Sequence, residues 1–330
     1  MSKIEWTKST WNPIVGCSHA SPGCTNCYAQ RMAGRLSEMS RAAREAGERG
    51  FVDHYDETAV SSKAGPVWTG KLARAPLKAW REPLDRHKPT TFFVCSMSDV
   101  FHERMPEDWI GDVFVVMAQA PQHTFQVLTK RSSRMRHLLS GSELREHVQA
   151  SLRIIDNPDA PVFRWPLPNV HLGVSCEDQR RADERIPDLL ATPAAIRFIS
   201  AEPLLGPIRL DPFLDCTGMP DCVGCEAGTR LSWVIVGGES GPGARPCNVG
   251  WIRQIVGRCA RADVPVFVKQ MGATPIEMSE WGPAWPAGTR FTQAPESSAV
   301  RVRLRDRKGG DVTEWPVDLR IRQAPVVSSQ

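Results

Sequence analysis

The sequence lacks any long apolar run. Nowhere in its 330 residues do about 18 apolar residues follow one another, the length a membrane-crossing helix needs. The opening MSKIEWTKSTWNP has no apolar stretch of the kind a secretory leader carries. A cytoplasmic chain with no membrane partner is therefore expected. Charge imbalance is also slight: a formal net charge of +4 is compatible with a nucleic-acid substrate but is matched by many enzymes of small anionic metabolites. Tyrosine is scarce, two residues against eleven tryptophans, and Trp6, Trp11 and Trp68 are read as core anchors before they are read as stacking platforms for bases. With 41% hydrophobic and 24% charged residues, the composition excludes neither burial of a core nor solubility, and it does not describe a disordered chain.

What the chain does have is ten cysteines. In a reducing compartment clustered thiols point to metal ligation or catalysis and not to a disulfide framework. The stretch CSHASPGCTNCYA holds Cys17, Cys24 and Cys27 within eleven positions. Two metal chemistries fit. Closely spaced cysteines hold iron–sulfur clusters, and zinc would complete a set of four with His19 or a distant residue. Position favours iron, because a cluster held by three cysteines leaves one iron open where a cofactor can be activated. A second group, Cys216, Cys222 and Cys225 in DCTGMPDCVGC, reads as a structural Zn2+ site, with an auxiliary cluster as the alternative and Cys247 or Asp221 as fourth-ligand candidates. Cys95 and Cys259 read as core residues, and Cys176 is ambiguous.

The rest of the chain alternates short apolar runs with helix-like segments. The runs are TTFFVCSMSD, HTFQVLTKR, NVHLGVSCED, AAIRFISAEP, LSWVIVGGES and VPVFVKQMG, with a first strand expected at 12–16. Continuous apolar strands followed by helices are the pattern of buried parallel sheets. The expected fold is α/β: a full or partial parallel (β/α) barrel of six to seven βα units over residues 1–272, with a Cys-rich insertion at 211–230. A doubly wound open sheet is the competitor, and both put functional residues at the carboxyl ends of strands. Those ends carry Cys17, Ser98, Asp99, Lys130, Arg131, Ser175, Glu177, Glu202, Glu239, Lys269 and Gln270. Residues 28–49 are predicted helical with Met32, Leu36 and Met39 on one face, and residues 273–330 form an extension with a hairpin about Gly309-Gly310.

A resemblance adds to this reading. WNPIVGC with SPGCTNCYA, then SMSDVFHE, QVLTKR, LGVSCEDQ, SAEPLLGPI, VIVGGESGPGARP, VKQMG and DRKGGDVTEWPVDLRIR together resemble a phage- and prophage-borne bacterial family with a three-cysteine motif. That family is described as radical S-adenosylmethionine-like and distantly similar to spore photoproduct lyase. The resemblance implies that Cys17, Cys24 and Cys27 ligate a 4Fe-4S cluster whose open iron is chelated by S-adenosyl-L-methionine. The spacing here, six residues then two, departs from the superfamily's usual three then two.

Under that resemblance Tyr28, Ser96, Ser98, Asp99, Ser175, Glu202, Gly237 and Gly238 are the cofactor-binding candidates. Asp99 would accept from the cofactor's ammonium group, or cap the loop that follows it. Glu202 would bind ribose hydroxyls, or form an ion pair with Lys130 or Lys269. Glu177, Glu239, Lys130 and Lys269 are the catalytic candidates. The implied partners are a nucleic acid or nucleotide substrate, an electron donor such as flavodoxin or ferredoxin, and a partner protein encoded nearby. The competing reading is a zinc-stabilised nucleic-acid-binding or accessory phage protein without radical chemistry.

Overall fold

A computed structural model describes residues 4–48, 52–63, 65–155, 163–214, 230–278, 285–294 and 299–325. Its spine is a seven-stranded sheet in which the strands follow chain order: Ser9–Trp11, Thr91–Val94, Thr124–Thr129, Val170–Ser175, Ile196–Ala201, Trp233–Gly237 and Val266–Gln270. The registered pairs are parallel, in line with the largely apolar runs of the sequence. Among the described residues the first and last strands are not paired, so the expected α/β architecture holds without closure into a full barrel.

The chain divides into two compact units, Met1–Leu172 with Thr192–Ala195, and Gly173–Ala191 with Ile196–Gln330. In the first unit, Trp11, Phe92 and Phe125 share one face of the sheet by the two-residue period of a strand. Phe92 and Phe125 stack with centroids 5.6 Å apart, and Trp11 meets Trp80 of the helix Leu77–Asp85 edge-on at 6.5 Å. Each such fully buried ring contributes roughly 1.5–3 kcal/mol of burial free energy. Trp11 also donates its indole N–H to the Ala79 carbonyl, and Trp6 packs edge-on against Phe93. Both are therefore anchors of the core, and Trp68 is packed on the edge of a small cluster about Val15, Ala33 and Met97.

Three expectations change. The first sheet strand is Ser9–Trp11, not 12–16; Ile14–Val15 instead pairs antiparallel with Ala73–Arg74 in a separate ribbon. Pro13 between them has no N–H to continue the parallel ladder. The helix Tyr28–Glu45 is formed, but it buries Ala29, Ala33, Gly34, Ser37 and Ser40, while Met32 and Met39 face solvent. Its contact is too close for long side chains: a Cβ at Gly34 would lie 2.4 Å from that of Pro66. The terminal hairpin is displaced as well. Val300–Arg303 pairs antiparallel with Arg290–Gln293 and with Pro275–Glu277. Beyond Gly309 the chain makes the 3-10 turns Val312–Glu314 and Val317–Leu319. Asp306 accepts from the amides of Lys308, Gly310 and Asp311 and curls the backbone. Trp315, fully buried, donates to the Gly309 carbonyl.

Candidate metal centre and strand-end clusters

The three N-terminal cysteines sit on a loop whose path is fixed by its neighbours. Gly16 has φ +95°, and a Cβ there would come within 2.0 Å of the Lys71 carbonyl oxygen, so only glycine turns the chain into Cys17. Gly16 N–H donates to the Met97 carbonyl at 3.0 Å, and Ser98 Oγ donates to the Gly16 carbonyl at 2.7 Å. Pro22–Cys24 is a single 3-10 turn, and Cys27 N–H donates to the Cys24 carbonyl before the helix Tyr28–Glu45 begins. Cys27 is the N-cap of that helix, where free amides favour negative charge. All three thiols are free of disulfides; Cys24 is buried and the other two are half-buried.

Arg131 is the cation at the centre of the polar contacts here. It is buried, and its Nη1 donates to Asp99 Oδ2 at 3.1 Å and to Cys17 Sγ at 3.8 Å. Its Nη2 donates to both the carbonyl and the hydroxyl oxygen of Ser18 at 3.0 Å, and its Nε to Glu103 Oε1 at 3.0 Å. His102 reaches the same Ser18 hydroxyl through Nε2 at 2.8 Å, while its Nδ1 accepts from the Arg104 amide. The imidazole proton is thus on Nε2, and burial and then Arg131 hold its pKa down. Burial pushes the Cys17 thiol up to about 12; Asp99 adds to the rise, Arg131 opposes it, and Cys27 and Cys24 raise it further. The thiols feel one another's charge, but among the described residues no three His, Cys, Asp or Glu side chains are arranged to hold a single metal ion. His19 has Nε2 engaged at 2.7 Å with Gln30 Oε1.

Residues 1–305 match a family described as protein of unknown function (DUF5131). The chain belongs to the DUF5131 family. No curated protein and no solved structure matches it.

The other predicted residues of this DUF5131 chain have definite places. Asp99 is saturated: Oδ1 accepts from the Phe101 amide and Thr129 Oγ1, and Oδ2 from the Lys130 amide and Arg131. Ser96 donates to Asn12 Oδ1, and Tyr28 OH donates to the Ser96 carbonyl. Ser96, Ser98, Asp99 and Tyr28 thus brace the cysteine loop in the first unit. Lys130 is half-buried and its ammonium makes no ion pair among the described residues.

In the second unit Glu177 is fully buried and paired with Arg185, whose Nη1 lies 3.1 Å away and also donates to the Ser175 carbonyl. Glu239 accepts from Arg245 through both carboxylate oxygens and from its amide. Glu202 pairs with Lys269 at 3.2 Å and accepts from Ser200 Oγ, the ion pair named above as the alternative to ribose binding. Gly238 is demanded by the chain itself, and Gly237 sits in a tight space beside the end of the Glu202 side chain. A Cβ at Gly237 would lie 2.9 Å from Glu202 Oε1, and one at Gly238 would lie 2.4 Å from the Met271 carbonyl oxygen. Cys216, Cys222, Cys225 and Asp221 lie outside the described residues. Cys247 is buried, and that burial raises its thiol to about 12. Sequence reasoning offered Arg131 at a strand end as a cation for phosphate or carboxylate, whereas its guanidinium is taken up by Asp99, Ser18, Glu103 and Cys17; it missed Ser18, His102 and Glu103, and the signal available for the last two was the dense polar run SMSDVFHE.

Proposed function

We propose that the protein is a radical S-adenosylmethionine-like iron–sulfur enzyme acting on a nucleic acid or nucleotide. The observation that carries the reading is the loop of Cys17, Cys24 and Cys27 at the end of the first strand segment, braced by Ser98, Tyr28 and Arg131. The donor set suits the group. Three disulfide-free thiols are soft ligands for iron, and in a cubane cluster each binds a different iron, so they need not meet in one coordination sphere. A closed zinc site would need that convergence, which is absent among the described residues.

A 4Fe-4S cluster would be held by Cys17, Cys24 and Cys27, and with its fourth iron open it would supply one-electron reduction of a bound sulfonium such as S-adenosyl-L-methionine, with methionine as the leaving group, for hydrogen abstraction from substrate. The chain's own residues prepare the place. Cys17 ligates only after losing a proton that burial holds firmly, and Arg131 is the cation positioned to favour the thiolate. Asp99 has both oxygens occupied, so its work is to fix Arg131 and the Thr129–Lys130 turn. Lys130 offers a cation for an anionic substrate group, in keeping with the net charge of +4.

Anaerobic purification tests the reading. Brown protein with iron and sulfide near four per chain, bleached by dithionite and releasing 5′-deoxyadenosine from S-adenosyl-L-methionine with a flavodoxin or ferredoxin as reductant, supports it. Colourless protein with stoichiometric zinc overturns it in favour of a zinc-stabilised accessory protein.

A further inference from the structure

We infer that Arg131 tunes the reduction potential of the centre bound at Cys17, which makes it a positioning and charge-setting residue; the inference rests on the function proposed above. The guanidinium is held as a fixed object. It is 8% exposed, and its fork is divided among Asp99 Oδ2, the two oxygens of Ser18, Glu103 Oε1 and Cys17 Sγ. Four of these contacts are ordinary hydrogen bonds of 3.0–3.1 Å that clamp the plane; the fifth, at 3.8 Å, aims Nη1 at sulfur. His102 closes the clamp from the other side through Ser18 Oγ.

An N–H directed at a ligating sulfur draws electron density from the metal–sulfur bond, and a buried cation beside it stabilises the state with one more electron. The surroundings define the sign of each change. Asp99 is buried with Arg131 and largely offsets its charge, whereas the Glu103 side chain is 61% exposed and touches the same guanidinium from solvent. Removing Arg131 takes away a donor and a positive charge, so the cluster becomes harder to reduce. Neutralising Glu103 as glutamine removes a negative charge while leaving an amide oxygen able to accept from Arg131 Nε, so the cluster becomes easier to reduce.

The test uses the full-length chain, reconstituted anaerobically with iron and sulfide and titrated potentiometrically with electron paramagnetic resonance of the reduced cluster as readout. Arg131→Met is expected to shift the midpoint to more negative potential, Arg131→Lys to fall between it and the wild type, and Glu103→Gln to shift it the opposite way. Should Arg131→Met fail to fold, Arg131→Lys decides, because it keeps the charge and loses the planar fork aimed at Cys17 Sγ: a midpoint more negative than wild type supports the role of Arg131, and an unchanged midpoint overturns it. Clusters that assemble in wild type and variants with the same midpoint overturn the role of Arg131. A wild-type chain that takes up no iron and sulfide overturns the parent reading, and the inference with it.

Discussion

The Ser98 hydroxyl donates to the Gly16 carbonyl oxygen at 2.7 Å, tying the end of one strand to the residue that launches the cysteine loop. This bond gives Ser98 a structural task without any cofactor. Ser98→Ala should cost about 1 kcal/mol, the usual net worth of one hydrogen bond, a drop in Tm of about 2–4 °C for a unit of this size. Iron retention should weaken in parallel because the loop is less well held. An unchanged Tm together with lost S-adenosyl-L-methionine binding, measured calorimetrically, would show Ser98 to be a direct cofactor ligand.

Cys24→Ala removes one sulfur from a buried position in the turn Pro22–Cys24. No backbone hydrogen bond depends on that sulfur, so far-ultraviolet circular dichroism and Tm of the metal-free protein should stay near wild type. Iron content after reconstitution should fall to background. A variant that keeps four irons and still releases 5′-deoxyadenosine would sink the ligand assignment.

How much of this was legible in the sequence depends on the length scale of the cause. The six later strands were readable because each is a short, mainly apolar run such as TFFV or WVIV, in which single polar residues such as Gln126 and His171 do not break the pattern expected of a strand covered on both faces. The first strand was misplaced by a few residues because Pro13 forbids pairing in a way that apolar content does not reveal. The face of the helix Tyr28–Glu45 was misread for a related reason: Gly34 must approach Pro66 closely, so alanines and serines, not methionines, turn inward. At the site, the thiol trio was visible as spacing. The Arg131 clamp was not, because it joins Ser18, Asp99, Glu103 and Arg131, whose meeting is a property of strand order.

Arg185 and Glu177 form an ion pair in which the carboxylate is fully buried and the guanidinium nearly so. Arg185→Met removes the cation and leaves the carboxylate charge uncompensated by it, an event that typically costs about 3–5 kcal/mol. Urea unfolding should show that loss as a lower midpoint with an unchanged slope. Glu177→Gln, which keeps a hydrogen-bonding group of the same shape, should be destabilised less. If Glu177→Gln keeps wild-type stability yet abolishes turnover, the carboxylate is catalytic and the pair is not merely a brace for the Ser175 carbonyl.

His171 lies in the strand Val170–Ser175, 3% exposed, and its Nδ1 has no hydrogen-bond partner among the described residues. The Phe125 amide donates to the Asn169 carbonyl, the parallel bond that sets Phe125 beside Val170 and Gln126 beside His171 on the opposite face. Gln126 is also buried, its Oε1 without a hydrogen-bond partner among the described residues, so this neighbour offers His171 no countercharge. Burial lowers its pKa from 6.5 to about 4. The folded state therefore binds fewer protons than the unfolded chain in this range, and stability rises with pH. The contribution is full above pH 6.5 and is lost progressively as pH falls toward 4, a total of about 3 kcal/mol at 1.36 kcal/mol per pKa unit. His171→Gln, which cannot titrate, should flatten that part of the curve when unfolding free energy is measured by urea at successive pH values. A wild-type curve flat between pH 6.5 and 4 would show that the imidazole is protonated in place, with a partner or water able to stabilise the charge.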